Sequence, residues 1–89
     1  MTRYEITIAR SAAKEYRSLP ASAAEKVRIA IDSLALEPRP AAKSKMLRAS
    51  GGLFRLRVGD YRVVYSVDDD RETVDIIHIR HRKDAYRDL

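Results

Sequence analysis

Phe54-Arg55-Leu56-Arg57-Val58-Gly59-Asp60-Tyr61-Arg62-Val63-Val64-Tyr65 is the stretch from which the fold is read. Phe54, Leu56 and Val58 alternate with Arg55 and Arg57, the two-residue period of a strand with one buried and one wetted face. Gly59-Asp60 supplies a two-residue turn, where glycine takes a positive φ without steric penalty and closes a hairpin. Tyr61 to Val67 reads as the returning strand, its apolar run interrupted by Arg62.

Working outward, Asp68 to Glu72 forms a polar turn, and Thr73 to Arg80, rich in Val, Ile and His, a third strand. Upstream, Tyr4-Glu5-Ile6-Thr7-Ile8 alternates and is β-branched, so it predicts a short N-terminal strand. Ser11 can cap a short helix that Pro20 stops near Leu19. Ser22-Ala23-Ala24-Glu25 has the form of a capping box, and Val27, Ile31 and Leu34 behind it recur at helical spacing to about Leu36, before Pro38 and Pro40. Lys83 to Leu89 is long enough for a last helical turn or two. The predicted class is α+β: two N-terminal helices on one face of a small, mainly antiparallel sheet, in the order β-α-α-β-β-β with a short C-terminal helix. Residues 39–52 form the one long loop.

Composition narrows the function. Eighty-nine residues make one domain, 1–89, and twelve of its apolar residues are alanine, which leaves few large side chains for a core. The absence of cysteine excludes disulfide frameworks, zinc ribbons and thiol catalysis. Two histidines without other ligands offer no metal site, and no cofactor motif is present. No apolar run reaches the ~20 residues of a membrane span, and no signal segment leads the chain, so a cytoplasmic protein without a membrane partner is expected.

The net charge is +5, and it is concentrated. Residues 39–62 hold seven basic side chains (Arg39, Lys43, Lys45, Arg48, Arg55, Arg57 and Arg62) against Asp60 alone, while the flanking segments are nearly balanced. Such a block suits an anionic partner, though a solvated lysine-bearing loop fits the charge equally well. Arg55, Arg57 and Arg62 fall on neighbouring strands; three guanidiniums together repel unless they meet carboxylates, such as Asp68 or Asp75, or phosphates. A second constellation is His78, Arg80, His81, Arg82, Lys83 and Tyr86. On a regular strand His78 and His81 point to opposite faces, which argues against a histidine pair. One histidine with a tyrosine and arginines fits phosphodiester cleavage, which needs a proton acceptor, cations for the phosphorane and a proton for the leaving oxygen. Each also fits an ordinary polar strand end or a packing tyrosine. Asp68-Asp69-Asp70 reads as a solvated turn rather than a metal site.

Gly52 through Tyr65, followed by His81-Arg82-Lys83-Asp84-Ala85-Tyr86, resembles the RelE branch of the RelE/ParE toxin superfamily. The N-terminal strand, the Ala-Lys-Glu-Tyr helix and the Leu-Arg before the glycine pair extend the resemblance over essentially the whole chain. The terminal His-Arg-x-x-x-Tyr favours RelE over ParE. The resemblance implies a small sheet backed by two helices and a toxin that enters the ribosomal A site. There it cleaves mRNA without a metal, by attack of the ribose 2′-hydroxyl on the adjacent phosphate. It also implies a cognate antitoxin that wraps the toxin.

Carried over by motif, Arg62 and Arg82 stabilise the phosphorane and Tyr86 orients the base or takes part in proton transfer, while Lys43, Lys45 and Arg48 hold ribosomal RNA. Arg55 and Arg57 stand where well-studied members have lysines. A guanidinium does not deprotonate in proteins, so the proton acceptor becomes Tyr86, His81 or a water. Arg80 stands where a glycine commonly precedes the His-Arg pair. The alternatives are a ParE-like inhibitor of DNA gyrase and a relict that only binds its antitoxin.

Overall fold

The computed structural model describes residues 3–41, 44–47 and 52–86. The elements run β1 (Glu5–Ile8), α1 (Arg10–Arg17), α2 (Ala21–Ser33), β2 (Ser44–Met46), β3 (Phe54–Val58), β4 (Tyr61–Asp68) and β5 (Thr73–His81). The strands form one sheet in the order β1-β5-β4-β3-β2, antiparallel except where β1 runs parallel to β5. This is the expected α+β architecture with one strand added.

The added strand, β2, lies inside the stretch expected to be loop. Its three residues show no alternation to read, and it is held from outside. Ser44 pairs with Leu56, and the Ser44 hydroxyl lies 2.7 Å from the hydroxyl of the buried Tyr65. Tyr65 also donates to the Pro38 carbonyl at 2.7 Å, which seals the loop onto the core. Burial raises the Tyr65 phenol above its ordinary value, against lesser opposing effects of the Ser44 hydroxyl and Arg39.

Both helix starts differ in detail from the capping prediction. The N-cap of α1 is Ala9, and Ser11 instead donates its hydroxyl to the Ile77 carbonyl at 2.7 Å. In α2 the N-cap is Pro20, at φ −57°, whose carbonyl accepts Ala24 N–H. Proline enters a helix pre-set in φ, so the helix begins one residue before Ser22. Glu25 then pairs with Arg28 at 2.7 Å rather than closing a capping box. After Ser33 the chain tightens through i to i−3 bonds at Leu34, Ala35 and Leu36, which buries Leu34 and Ala35. At the other end, residues 82–86 form successive turns instead of the expected short C-terminal helix, whose remaining positions, 87–89, lie outside the described residues.

The core lies between the helices and one sheet face. Val27, Ile31 and Leu34 meet Phe54, Leu56, Val63, Tyr65, Val74, Ile76 and Ile79, with Ala12 of α1 closing the side. Phe54 and Tyr65 are register partners and stack at 5.7 Å. A bulge interrupts the β4–β5 ladder: Val64 pairs with His78, but Tyr65 pairs with Ile76. The extra residue lets Ile76 and Ile79 both face the core although they are three apart.

That bulge sits where β1 ends. Beyond Ile76 the outer edge of β5 has no strand partner among the described residues, and the Ala9 backbone and two α1 side chains take its place. Ala9 N–H donates to the Ile76 carbonyl, Ser11 to the Ile77 carbonyl, and Glu15 accepts the Ile79 N–H at 3.0 Å. An edge that would otherwise present bare donors and acceptors is thereby closed.

Candidate functional site

The face of the sheet turned away from the helices carries the cations, and the register sets them in rows. One row runs Arg57, Arg62, Arg80 across β3, β4 and β5. The next runs Lys45, Arg55, Val64, His78 across β2 to β5. Directly opposed side chains in such a ladder lie about 5 Å apart at Cβ, so five cations share a patch two rows deep. Val64, between Arg55 and His78, is nonetheless fully buried. Long arginine stems commonly cover apolar surface in this way while keeping their charge in water.

The alternative partners for these arginines are occupied elsewhere. Asp75 takes the Thr7 hydroxyl at 2.9 Å, and Asp68 caps its own turn by accepting the Asp70 and Arg71 N–H groups. Asp69 accepts from Tyr4 at 2.7 Å and Arg39 at 2.9 Å, bonds that hold its carboxyl below the usual range. The Asp68-Asp69-Asp70 run therefore staples the β4–β5 turn rather than converging on a point. Among the described residues, Arg55 and Arg57 have no carboxylate partner.

Arg62 is folded back over the β3–β4 turn, one guanidinium nitrogen donating to the Gly59 and Tyr61 carbonyls at 2.8 Å each. Gly59 makes that turn with φ of 59°. The same turn receives the end of β5: Arg82 N–H donates to the Asp60 carbonyl at 2.7 Å, and its Nε lies 3.9 Å from the Asp60 carboxylate. Asp60 thus ties the post-β5 turn, which carries Arg82 and Tyr86, to the hairpin that carries Arg57 and Arg62. Arg82 is well exposed and Tyr86 is 45% exposed, so both can be reached from solvent.

His81 pairs with Tyr61, which packs against the core, and meets its ring edge-on at 5.6 Å. It therefore points to the helix side of the strand end, while His78 shares the arginine face. The Lys83 N–H donates to His81 Nδ1 at 3.3 Å, so the neutral ring in this arrangement carries its proton on Nε2.

Of the residues expected from sequence, the structure gathers Arg55, Arg57 and Arg62 on one face, ties Arg82 to the hairpin turn at its end, sets His81 across the strand, and leaves Tyr86 exposed in the turn after β5. Lys45 lies in β2, in register with Arg55, rather than in a loop. Lys43 and Arg48 lie outside the described residues. Two participants in this neighbourhood were given no role from the sequence: Arg80, which it only grouped with His81, Arg82 and Tyr86, and Glu15. Arg80 completes the arginine row, and the alternation that places Arg55 and Arg57 could have found it had the bulge been foreseen. Glu15, whose Oε2 accepts from Arg80 Nε at 2.8 Å, belongs to α1, and nothing in its local pattern marks it.

Among the described residues, this small α+β domain puts its core under two helices and gathers its arginines on the opposite side of the sheet. Comparison with known proteins makes the class specific. The profile of the ParE toxin of type II toxin–antitoxin systems matches residues 6–86, and this chain belongs to the RelE/ParE toxin superfamily. It is 39% identical over 88 residues to a toxin RelE of Mycobacterium tuberculosis, covering 94% of this chain and 87% of that one. The fold superposes on the RelE–RelB complex of Pyrococcus horikoshii with a TM-score of 0.80 and 31% identity, covering 94% of this chain and all of the toxin. The intact E. coli RelBE toxin–antitoxin complex gives 0.74 at 28% identity, covering 88% and 95%. No helix among the described residues is long and apolar enough to cross a membrane.

Proposed function

We propose that this protein is the toxin of a type II toxin–antitoxin pair and acts in the cytoplasm as a ribosome-dependent, metal-independent mRNA endonuclease. The observation that carries the reading is the arginine face: Arg57, Arg62 and Arg80 in one row and Arg55 and Lys45 in the next, with Arg82 tied to the adjoining hairpin turn through Asp60. A phosphodiester lying along it would meet cations on both sides. In the reaction the ribose 2′-oxygen attacks the adjacent phosphorus and loses its proton, the bond to the 5′-oxygen breaks, and that oxygen takes up a proton. The products are a 2′,3′-cyclic phosphate and a 5′-hydroxyl. Arg62 and Arg82 stabilise the charge that grows on the phosphorane, with Arg55 and Arg57 adding to the field.

None of the guanidiniums can take the proton. The Lys83 N–H on His81 Nδ1 leaves His81 a donor through Nε2 and not an acceptor there. That favours Tyr86 or a water as the acceptor, with His81 donating a hydrogen bond at the edge of the site. Lys45, in register with Arg55, is the described residue that would hold ribosomal RNA, a role the family resemblance also assigns to Lys43 and Arg48. The partner that restrains the toxin is a cognate antitoxin, as in the RelE–RelB and RelBE complexes that this fold resembles.

A second reading has one observation in its favour. The matching family profile is that of ParE toxins, so the same scaffold used as a gyrase-binding module without cleavage is the alternative. The test is purified protein incubated with programmed ribosomes and, separately, with the same mRNA free, the ends being mapped by primer extension. Cuts only on ribosomes support the nuclease; intact message in both, from a folded sample, rejects it, and gyrase inhibition in a supercoiling assay then supports the second reading.

A further inference from the structure

Glu15 brings a carboxylate to the arginine face, yet it comes from a helix on the other side of the sheet edge. Its side chain lies against the stretch of β5 that β1 leaves uncovered. Oε1 accepts the Ile79 N–H at 3.0 Å and sits 3.3 Å from His78 Nδ1, while Oε2 accepts from Arg80 Nε at 2.8 Å. The Glu15 and Arg80 side chains are only 26% and 21% exposed, so the pair is shielded from screening in a way the surface pairs of α2 are not. Burial by itself would raise the Glu15 carboxyl, but the bonds from Arg80, Ile79 N–H and His78 outweigh it and hold the group below its ordinary range.

The two oxygens do different things. One fixes the backbone immediately before Arg80-His81-Arg82, and the other fixes the Arg80 guanidinium through Nε, the nitrogen that sets the orientation of the whole plane. Like charges along an arginine row repel, and fixing one arginine side chain costs about 2 kcal/mol of rotamer entropy. We propose that Glu15 is a positioning residue: it fixes the Arg80 guanidinium at the β5 end of the Arg57–Arg62–Arg80 row before a phosphate arrives. This role rests on the nuclease reading above. It makes helix α1 a determinant of the rate of cleavage and not of RNA binding.

The test uses Glu15→Gln, Arg80→Ala and the double variant on programmed ribosomes, read as single-turnover cleavage at saturating ribosome. Glutamine keeps an acceptor for the Ile79 N–H and removes the charge that holds Arg80. The single-turnover rate of Glu15→Gln should fall about 10- to 100-fold, the range seen when a group that orients a functional ligand is lost. The half-saturating ribosome concentration should stay unchanged, and the loss should vanish in the Arg80→Ala background. A wild-type rate in folded Glu15→Gln, or an equal loss with and without Arg80, overturns the assignment while leaving the nuclease reading intact. Wild-type protein that does not cleave overturns both. Should Glu15→Gln not fold, nitrogen-detected exchange of the Arg80 Nε–H in the wild type decides: slow exchange supports a held side chain, and exchange as fast as a solvated arginine's overturns it.

Discussion

The two faces of strands β3 and β4 differ in nearly every physical respect although their residues alternate in the chain. On the helix side, Phe54, Leu56, Val63 and Tyr65 are at most 9% exposed and fill the core. On the other, Arg55, Arg57 and Arg62 present repelling charges that the fold does not neutralise. Core and charged surface thus alternate along the same two strands. The teaching is that neighbouring positions on one strand should fail in different assays, since alternate side chains point to opposite faces, with the fully buried Val64 the exception on the arginine side.

The comparison can be broken most forcefully from the core side. Leu56→Ala should destabilise the protein by about 2–5 kcal/mol, because a fully buried leucine leaves a cavity that neighbours fill only in part. Chemical denaturation measures the loss, and the cleavage rate per folded molecule should hardly change. Next in size, Arg62→Ala or Arg82→Ala should lower single-turnover cleavage by at least about 10²-fold, as when one transition-state charge partner is removed, with the unfolding midpoint nearly constant. A drop in stability instead, with cleavage preserved, would assign these arginines to the scaffold.

Smaller effects sharpen the contrast. Lys45→Ala should weaken ribosome binding uniformly and reduce the slope of log affinity against log salt by about 1, leaving the bound complex to react at its usual rate. The smallest effect is in acid. Because the folded state holds the Glu15 carboxyl below its ordinary value, its stabilising contribution is complete above about pH 4.3 and is lost as pH falls through the lowered value. Thermal unfolding from pH 5 to pH 2 should therefore fall less steeply for Glu15→Gln than for the wild type.

Much of the fold was legible because it rests on short-range pattern. The Phe54–Val58 alternation, the Gly59-Asp60 turn and the Val27, Ile31, Leu34 stripe each report a local period that the packing then uses. What was not legible is set by partners far along the chain. Strand β2 exists because Ser44 meets Tyr65 and Leu56, and three residues cannot announce that. Ser11 is a credible cap in sequence, but an unpaired β5 carbonyl takes its hydroxyl. The gathering of Arg55, Arg57 and Arg62 followed from alternation alone. The position of Arg80 in their row and the reach of Glu15 to it depend on a bulge and on a helix edge, neither of which leaves a trace in composition.

The placement of β1 carries a consequence for how the chain is made. Thr7 and Asp75, side by side in the finished sheet, stand 68 positions apart, and the same separation holds along the β1–β5 pairing. While the protein emerges from a ribosome, β1 and α1 must wait for the final strand before they have anything to pair with. Pairing of such high contact order is slow. It also means that the edge which steadies Arg80 is assembled last, so a nascent or truncated chain lacks the ordered arginine row until synthesis has passed β5.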